Sequence, residues 1–296
     1  MTAHRSSFLS IVGCPNVGKS SLMNSLVGQK ISIVTDRAQT TRNRITGVLT
    51  RDTYQIIFLD TPGIMPPRNR LGEVMCKTTF DALRDVEAIL FVCDALAGLG
   101  EHDRMLIERL SQCTSPRLAL INKCDAGHPM RMEQMEKTLI DTGLFDSINC
   151  ISATTGENLK ELESLICRYL VEGPQYFPAD MITDQPERVI CCEFIREKAL
   201  LLLRDEIPHG VGVGVDKMER REDRDLIDIF VTIYCERSSH KPIVVGHNGE
   251  MLKKIGIMAR ADIEWLLGLP VNLQLWVKIS ENWRNRASVL RELGYE

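Results

Sequence analysis

From Phe8 to about Glu172 the chain alternates short β-branched or apolar runs with longer stretches in which apolar residues recur every third and fourth position. Short runs of this kind suit buried strands and the longer stretches suit amphipathic helices. The pattern predicts βαβ units, that is, an α/β domain built on a mostly parallel sheet with helices on both faces. Strands are expected at Phe8 to Gly13, Ile45 to Arg51, Tyr54 to Asp60, Ala88 to Asp94, Arg117 to Asn122 and Ser147 to Ser152. Helices are expected at Ser20 to Val27, Asp103 to Leu110, Met132 to Thr142 and Leu159 to Leu170.

The texture changes after residue 172. Gly173 to Pro186 holds Pro174, Pro178 and Pro186 without sustained periodicity, as an interdomain linker would. A helix is expected from Pro186 to about Asp205, then a hairpin of Gly212 to Lys217 and Leu226 to Cys235 around the charged turn Met218 to Asp225. A helix pair follows, with Met251 to Leu267 as its second member, then a strand at Val271 to Ile279 and a short amphipathic helix from Trp283 to Leu293. The expected division is therefore a first domain over 1–172, a linker over 173–186 and a smaller α+β domain over 187–296. Trp265, Trp276 and Trp283 all fall on apolar periodicities and are expected in the core.

Composition narrows the class. A chain of 296 residues, 44% hydrophobic, has material for two cores. It contains no apolar window near the roughly 20 residues of a membrane helix, and Met1 to Phe8 has no signal-like run, so a cytoplasmic protein is expected. No two of the ten cysteines stand two residues apart and the six histidines form no ligand-spaced cluster with them, which favours reduced thiols over a metal site. The net charge is −4, with 19 basic and 20 acidic residues up to Glu172 and 17 against 20 beyond it. A generic polyanion binder is excluded, and any nucleic-acid contact must be local.

The first strand runs into Gly13-Cys14-Pro15-Asn16-Val17-Gly18-Lys19-Ser20, followed by Ser21 and an apolar helix. A phosphate chain needs converging backbone N–H groups, a positive helix end, an ammonium and a hydroxyl for Mg²⁺, and this segment carries all four. Asp60-Thr61-Pro62-Gly63 ends another strand, where a carboxylate serves Mg²⁺ and the glycine N–H a terminal phosphate. Asn122-Lys123-Cys124-Asp125 ends a third, and the Asp125 carboxylate matches N1–H and the 2-amino group of guanine. Ser152-Ala153 follows a fourth, with a backbone N–H for the guanine O6.

These motifs in this order resemble the P-loop GTPases of the translation-factor class. With Gln39-Thr40-Thr41-Arg42 and the C-terminal arrangement, the chain resembles the Era-like bacterial GTPases over essentially its full length. The resemblance implies hydrolysis of GTP, with Lys19, Thr41 and Gly63 as the catalytic set. It implies Mg²⁺ on Ser20, Asp60 and a switch threonine, Thr41 most naturally, with Thr40 the alternative. Asn16 resembles an asparagine that helps bind K⁺ in related GTPases. Ile64 stands where many GTPases carry a water-orienting glutamine, so slow intrinsic turnover is expected.

In the second domain, Gly246-His247-Asn248-Gly249 lies between two apolar helical stretches and resembles the loop with which a type II KH domain clamps about four nucleotides. From Arg237 to Arg260 there are five basic residues, among them Lys241, Lys253, Lys254 and Arg260, against the single acid Glu250. The resemblance implies the 3′ region of 16S ribosomal RNA and the small ribosomal subunit as partners, a role in maturation of that subunit, and peripheral contact with the inner face of the cell membrane. No sequence feature argues for the membrane contact. A scaffold that binds RNA and nucleotide without turnover is the alternative. A GTPase that modifies tRNA is disfavoured, because no second cofactor motif stands near the C-terminus.

Overall fold

The computed structural model describes residues 4–37 and 40–295, which divide into two compact units. One comprises Met1–Pro66 and Met75–Asp184, the other Pro67–Val74 and Gln185–Glu296.

The first unit is built on strands β1 (Arg5–Gly13), β2 (Ile45–Arg51), β3 (Tyr54–Asp60), β4 (Ala88–Asp94), β5 (Arg117–Asn122) and β6 (Ser147–Ile151). They lie in the order β2-β3-β1-β4-β5-β6, parallel throughout except for β2, which runs antiparallel to β3. The helices are α1 (Lys19–Val27), α2 (Arg70–Asp81), α3 (Glu101–Leu110), α4 (Pro129–Asp141) and α5 (Leu159–Ile166), with α2 divided between the units. Alternate strand residues feed two separate cores. Leu9, Ile11, Leu90 and Val92 pack with Leu22 and Met23 of α1 and Leu162 and Ile166 of α5. Ile57, Ile89, Phe91 and Ile121 pack with Leu106 and Leu110 of α3 and Met135 and Leu139 of α4. Burial on both faces explains why the strands read as continuous apolar runs.

The edges of the pattern differ from the sequence expectation. Strand β1 begins at Arg5, three residues early, because Ser6 and Ser7 are buried there by pairing with β3 and with a short antiparallel strand, β7 (Val171–Glu172). Helix α2 has no expected counterpart, since its inward row of Leu71 and Met75 continues into the buried polar Thr79, which breaks the apolar signature. The expected linker is partly ordered onto the first unit. The Gly173 N–H donates to His4 O at 3.1 Å, the Tyr176 and Phe177 N–H groups each donate to Gln55 Oε1 at 3.0 Å, and Ile182 O accepts the Val48 N–H at 2.8 Å.

The second unit carries α6 (Glu187–Leu202), β8 (Val211–Arg220), β9 (Ile227–Cys235), α7 (His240–Val245), α8 (Glu250–Leu267), β10 (Val271–Ile279) and α9 (Ala287–Glu292). Its sheet has the order β10-β9-β8, with β8 antiparallel and β10 parallel to β9. Strand β8 runs on through Met218 to Arg220 because a bulge between Val215 and Lys217 resets its alternation, so the turn is shorter than expected. The last helix is interrupted at Arg286 (φ −98°, ψ 107°), which separates a 3₁₀ turn at Trp283–Asn285 from α9.

Candidate functional site

The turn from β1 into α1 places Asn16 and Gly18 at positive φ, 64° and 95°. At Gly18 a Cβ would stand 2.2 Å from Asn122 Nδ2, so only hydrogen fits. Helix α1 opens at Lys19 without a side-chain cap, which leaves its first N–H groups for an anion. The Lys19 ammonium is buried and donates to Gly13 O (3.0 Å) and Cys14 O (2.8 Å). Burial lowers its pKa to about 8, against the raising influence of Asp60, Cys14 and Asp103. A phosphate would relieve that desolvation by supplying the missing negative charge.

Beside Lys19, Ser20 Oγ donates to Asp60 Oδ2 at 2.6 Å and lies 2.8 Å from Thr41 Oγ1. The two threonines are thereby distinguished. Thr41 joins this oxygen cluster, whereas Thr40 Oγ1 donates to Arg37 O at 2.6 Å and lies 2.7 Å from Thr35 Oγ1. Gln39 of the same run lies outside the described residues. Asp60 is buried, desolvation raises its pKa, and its Oδ1 accepts no hydrogen bond. An all-oxygen donor set with a buried, under-satisfied carboxylate oxygen fits a small hard cation such as Mg²⁺.

At the other end of the cleft Asn122, almost wholly buried, ties three segments together. Its Nδ2 donates to Val17 O at 2.8 Å and its Oδ1 accepts the Ala153 N–H at 2.9 Å. Lys123 donates to Asn16 O (2.8 Å) and forms an ion pair with Asp94 (2.6 Å). Ser25 Oγ donates to Ala153 O at 2.6 Å, and Ser152 Oγ accepts the Thr155 N–H at 3.2 Å. Asp125 follows at an exposed position. Cys124 packs beside it, and burial together with Glu157 pushes its thiol up to about 11.

A cleft of about 400 Å³ results, within the usual range for small-ligand sites. Of the expected residues it gathers Pro15, Asn16, Gly18, Lys19, Ser20, Ser21, Thr40, Thr41, Gly63 and Lys123. Others of the set act behind it. Thr61 Oγ1 donates to Ile11 O, Pro62 O accepts from Thr79, and Val17 and Cys14 pack on the core. Ile64 also packs on the core and brings no polar side chain to the cleft. Sequence reasoning missed Ile33, Val34, Thr35, Asp36 and Thr154 as lining residues and Asp94 as the partner of Lys123. Only Thr154, next to Ser152-Ala153, had a motif to signal it.

In the second unit the Gly246-to-Gly249 turn joins α7 to α8. Gly249 has φ +84° and open space where a Cβ would stand. His247 and Asn248 are exposed at the turn and Lys241 on α7. A groove of about 420 Å³ runs from Gly249 along α8 and β10, lined by Lys253, Arg260, Leu252, Gly256, Ile257, Leu273 and Leu275. Lys254 is exposed on α8 but does not line the groove. The apolar members went unnoticed because they share the period of a core face.

The tryptophans require a correction. Trp283 is fully buried, with Nε1 donating to Gly210 O at 2.9 Å, but Trp265 and Trp276 are exposed. Trp276 stacks on Phe230, with ring centroids 5.9 Å apart, on the sheet face opposite Leu275. Trp276 rests across the strand pair on β9, and at both positions the apolar periodicity marks an exposed face, not an interior one.

Residues 8–123 match the family model of the 50S ribosome-binding GTPases and residues 206–284 that of the KH domain. GTPase Era of Clostridioides difficile (strain 630) is 51% identical over 292 residues, 98% of both chains. GTPase Era of Alkaliphilus metalliredigens (strain QYMF) is 47% identical over 294 residues, covering 99% of this chain and all of that one. Among solved structures, a crystal structure of Era in complex with MgGDPNP and nucleotides 1506–1542 of 16S ribosomal RNA is similar at a TM-score of 0.95 and 38% identity, covering 99% of each chain. A point variant of Aquifex aeolicus Era bound to GDP·AlF₄⁻ is similar at 0.94 and 38%, covering 98% of this chain and 99% of that one.

Proposed function

The chain belongs to the Era family of GTPases, and from that premise we propose that it is a GTP-hydrolysing switch that binds 16S ribosomal RNA through its second unit and assists maturation of the small ribosomal subunit. The observation that carries the reading is the convergence of four strand ends on one cleft, with Asn122 hydrogen-bonded to both the phosphate loop and the Ala153 loop.

In the proposed reaction, water attacks the γ-phosphorus while the bond to the β–γ bridging oxygen breaks, giving GDP and phosphate. Lys19 exchanges its two carbonyl partners for phosphate oxygens, and the N–H groups of the loop and of Gly63 surround them. Ser20, Thr41 and Asp60 hold Mg²⁺, which when bound neutralises charge on the phosphate oxygens. Asp125 accepts N1–H and the 2-amino group of guanine. Adenine offers neither, and a site built on such polar pairing rejects the analogue by roughly 10⁴-fold. Ile64 leaves the attacking water without a polar side chain at that position, which supports slow turnover. K⁺ is proposed beside the phosphates at Asn16, whose amide nitrogen donates to Asp36 O at 2.8 Å, so that the carboxamide oxygen is the end a cation would take.

For RNA, the positive-φ turn at Gly249 and the groove carrying Lys253 and Arg260 support a clamp on backbone and bases. Lys241, His247, Asn248 and Lys254 supply further polar contacts around it. Among the described residues no helix is long and apolar enough to cross a membrane. Subunit maturation implies a cytoplasmic place of action, and contact with the inner face of the membrane enters the proposal only as a family expectation.

The test is a thermodynamic cycle. Affinity for a fragment of the 16S 3′ region is measured with the protein nucleotide-free, GDP-bound and bound to a GTP analogue. Whatever factor the analogue adds to RNA affinity, RNA must add to analogue affinity. RNA affinity independent of nucleotide would refute the switch, and phosphate release that persists in Lys19→Ala would refute the assigned site.

A further inference from the structure

The assigned roles leave Ser32 unused, yet three hydrogen bonds to one side chain fix the backbone at Ile31 and Ser32, two of them at Ser32 itself. Asn24 Nδ2 donates to Ser32 O at 2.7 Å, and Asn24 Oδ1 accepts the N–H groups of Ile31 and Ser32, each at 2.9 Å. Asn24 stands four residues after Ser20 on α1, one turn along the same helix face. The clamp therefore refers residue 32 to the helix that carries the metal-side hydroxyl. Ser32 is 2% exposed, does not line the cleft, and donates from Oγ to Asp60 Oδ2 at 2.9 Å.

A buried carboxylate held by one donor can swing about its Cβ–Cγ bond, whereas two donors from different segments fix its plane. Ser20 and Ser32 are two such donors on the same oxygen, with Thr41 a further side-chain partner of the carboxylate, and Asp60 Oδ1 accepts no hydrogen bond. Of the two, only Ser32 lies outside the proposed ligand set, so its bond serves the carboxylate whether or not an ion is present. We propose that Ser32, clamped by Asn24, is a positioning residue that orients the Asp60 carboxylate for Mg²⁺. The inference rests on the reading of Ser20, Thr41 and Asp60 as the Mg²⁺ ligands. Loss of an outer partner of a metal carboxylate typically weakens the metal by about 10-fold to 100-fold.

The experiment follows release of a fluorescent N-methylanthraniloyl-GDP from the full chain into excess GDP across a Mg²⁺ titration, with circular dichroism as the check of folding. Ser32→Ala is expected to raise the Mg²⁺ midpoint for slow release by about 10-fold to 100-fold, while the release rate in EDTA matches that of the unsubstituted chain. Asn24→Ala reaches the same bond by a second route, and is expected to shift the midpoint in the same direction, with the double variant falling short of additivity. An unchanged midpoint in Ser32→Ala, or release accelerated equally with and without Mg²⁺, overturns the proposal. Ser20→Ala and Asp60→Asn separate the two levels of argument. If they too leave the Mg²⁺ dependence intact, the ligand assignment has failed; if they abolish it while Ser32→Ala does not move it, only the positioning role has failed.

Discussion

Replacing Asn122 with Ala removes the carboxamide that joins Val17 O at 2.8 Å and the Ala153 N–H at 2.9 Å, at a position 1% exposed. Each backbone group left buried without a partner costs about 1–3 kcal/mol, so the two together are worth on the order of 2–6 kcal/mol. Where that cost appears depends on relaxation. If the two loops stay in place, stability of the first unit falls; if they part and admit water, stability is spared and nucleotide affinity falls instead, by a factor of ten for about every 1.4 kcal/mol. The prediction is therefore for the sum of the two losses. Chemical denaturation reports the first and calorimetric titration with GDP the second. All three tryptophans fall in the second unit, so far-ultraviolet circular dichroism, not indole fluorescence, must follow the first. A summed loss below about 1 kcal/mol, less than one unsatisfied group, would refute Asn122 as the joint between the loops.

Two further outcomes are expected. Asp125→Asn should weaken GTP and improve binding of xanthosine nucleotides, because the amide donates to the extra carbonyl of xanthine; unchanged GTP affinity in a competition titration would mean that the base lies elsewhere. Gly249→Asp adds a carboxylate to a turn with open space around it but an unfavourable φ of +84°, and should abolish RNA binding in a filter or polarisation assay while GTP affinity persists. Retained RNA binding would remove that turn from the interface.

The sheet and the turn from Gly13 to Ser20 were legible because both obey local rules: apolar runs of strand length, and a glycine-edged turn before a helix with lysine and serine in fixed places. What escaped was held by polar groups whose partners are distant in sequence. Ser6 and Ser7 conceal the start of β1, Thr79 conceals α2, and Asp94 meets Lys123 across 29 positions. The resemblance favoured Thr41 and left Thr40 as the alternative, and what sets them apart physically is a non-local contact, since Thr41 meets Ser20 whereas Thr40 meets Thr35. Trp265 and Trp276 erred the other way, since apolar spacing marks one face of an element without saying whether anything covers it.

The hydrogen bond from the Val48 N–H to Ile182 O has a practical corollary. Strand β2 is the rim of the larger sheet, and its outward amides are the kind of surface on which a second molecule adds a strand. Ile182 O covers one of those amides, so a shortened protein ending at Glu172 would bare it, while one ending at Asp184 keeps it covered. The shorter version is expected to self-associate and the longer to stay monodisperse in light scattering at equal concentration.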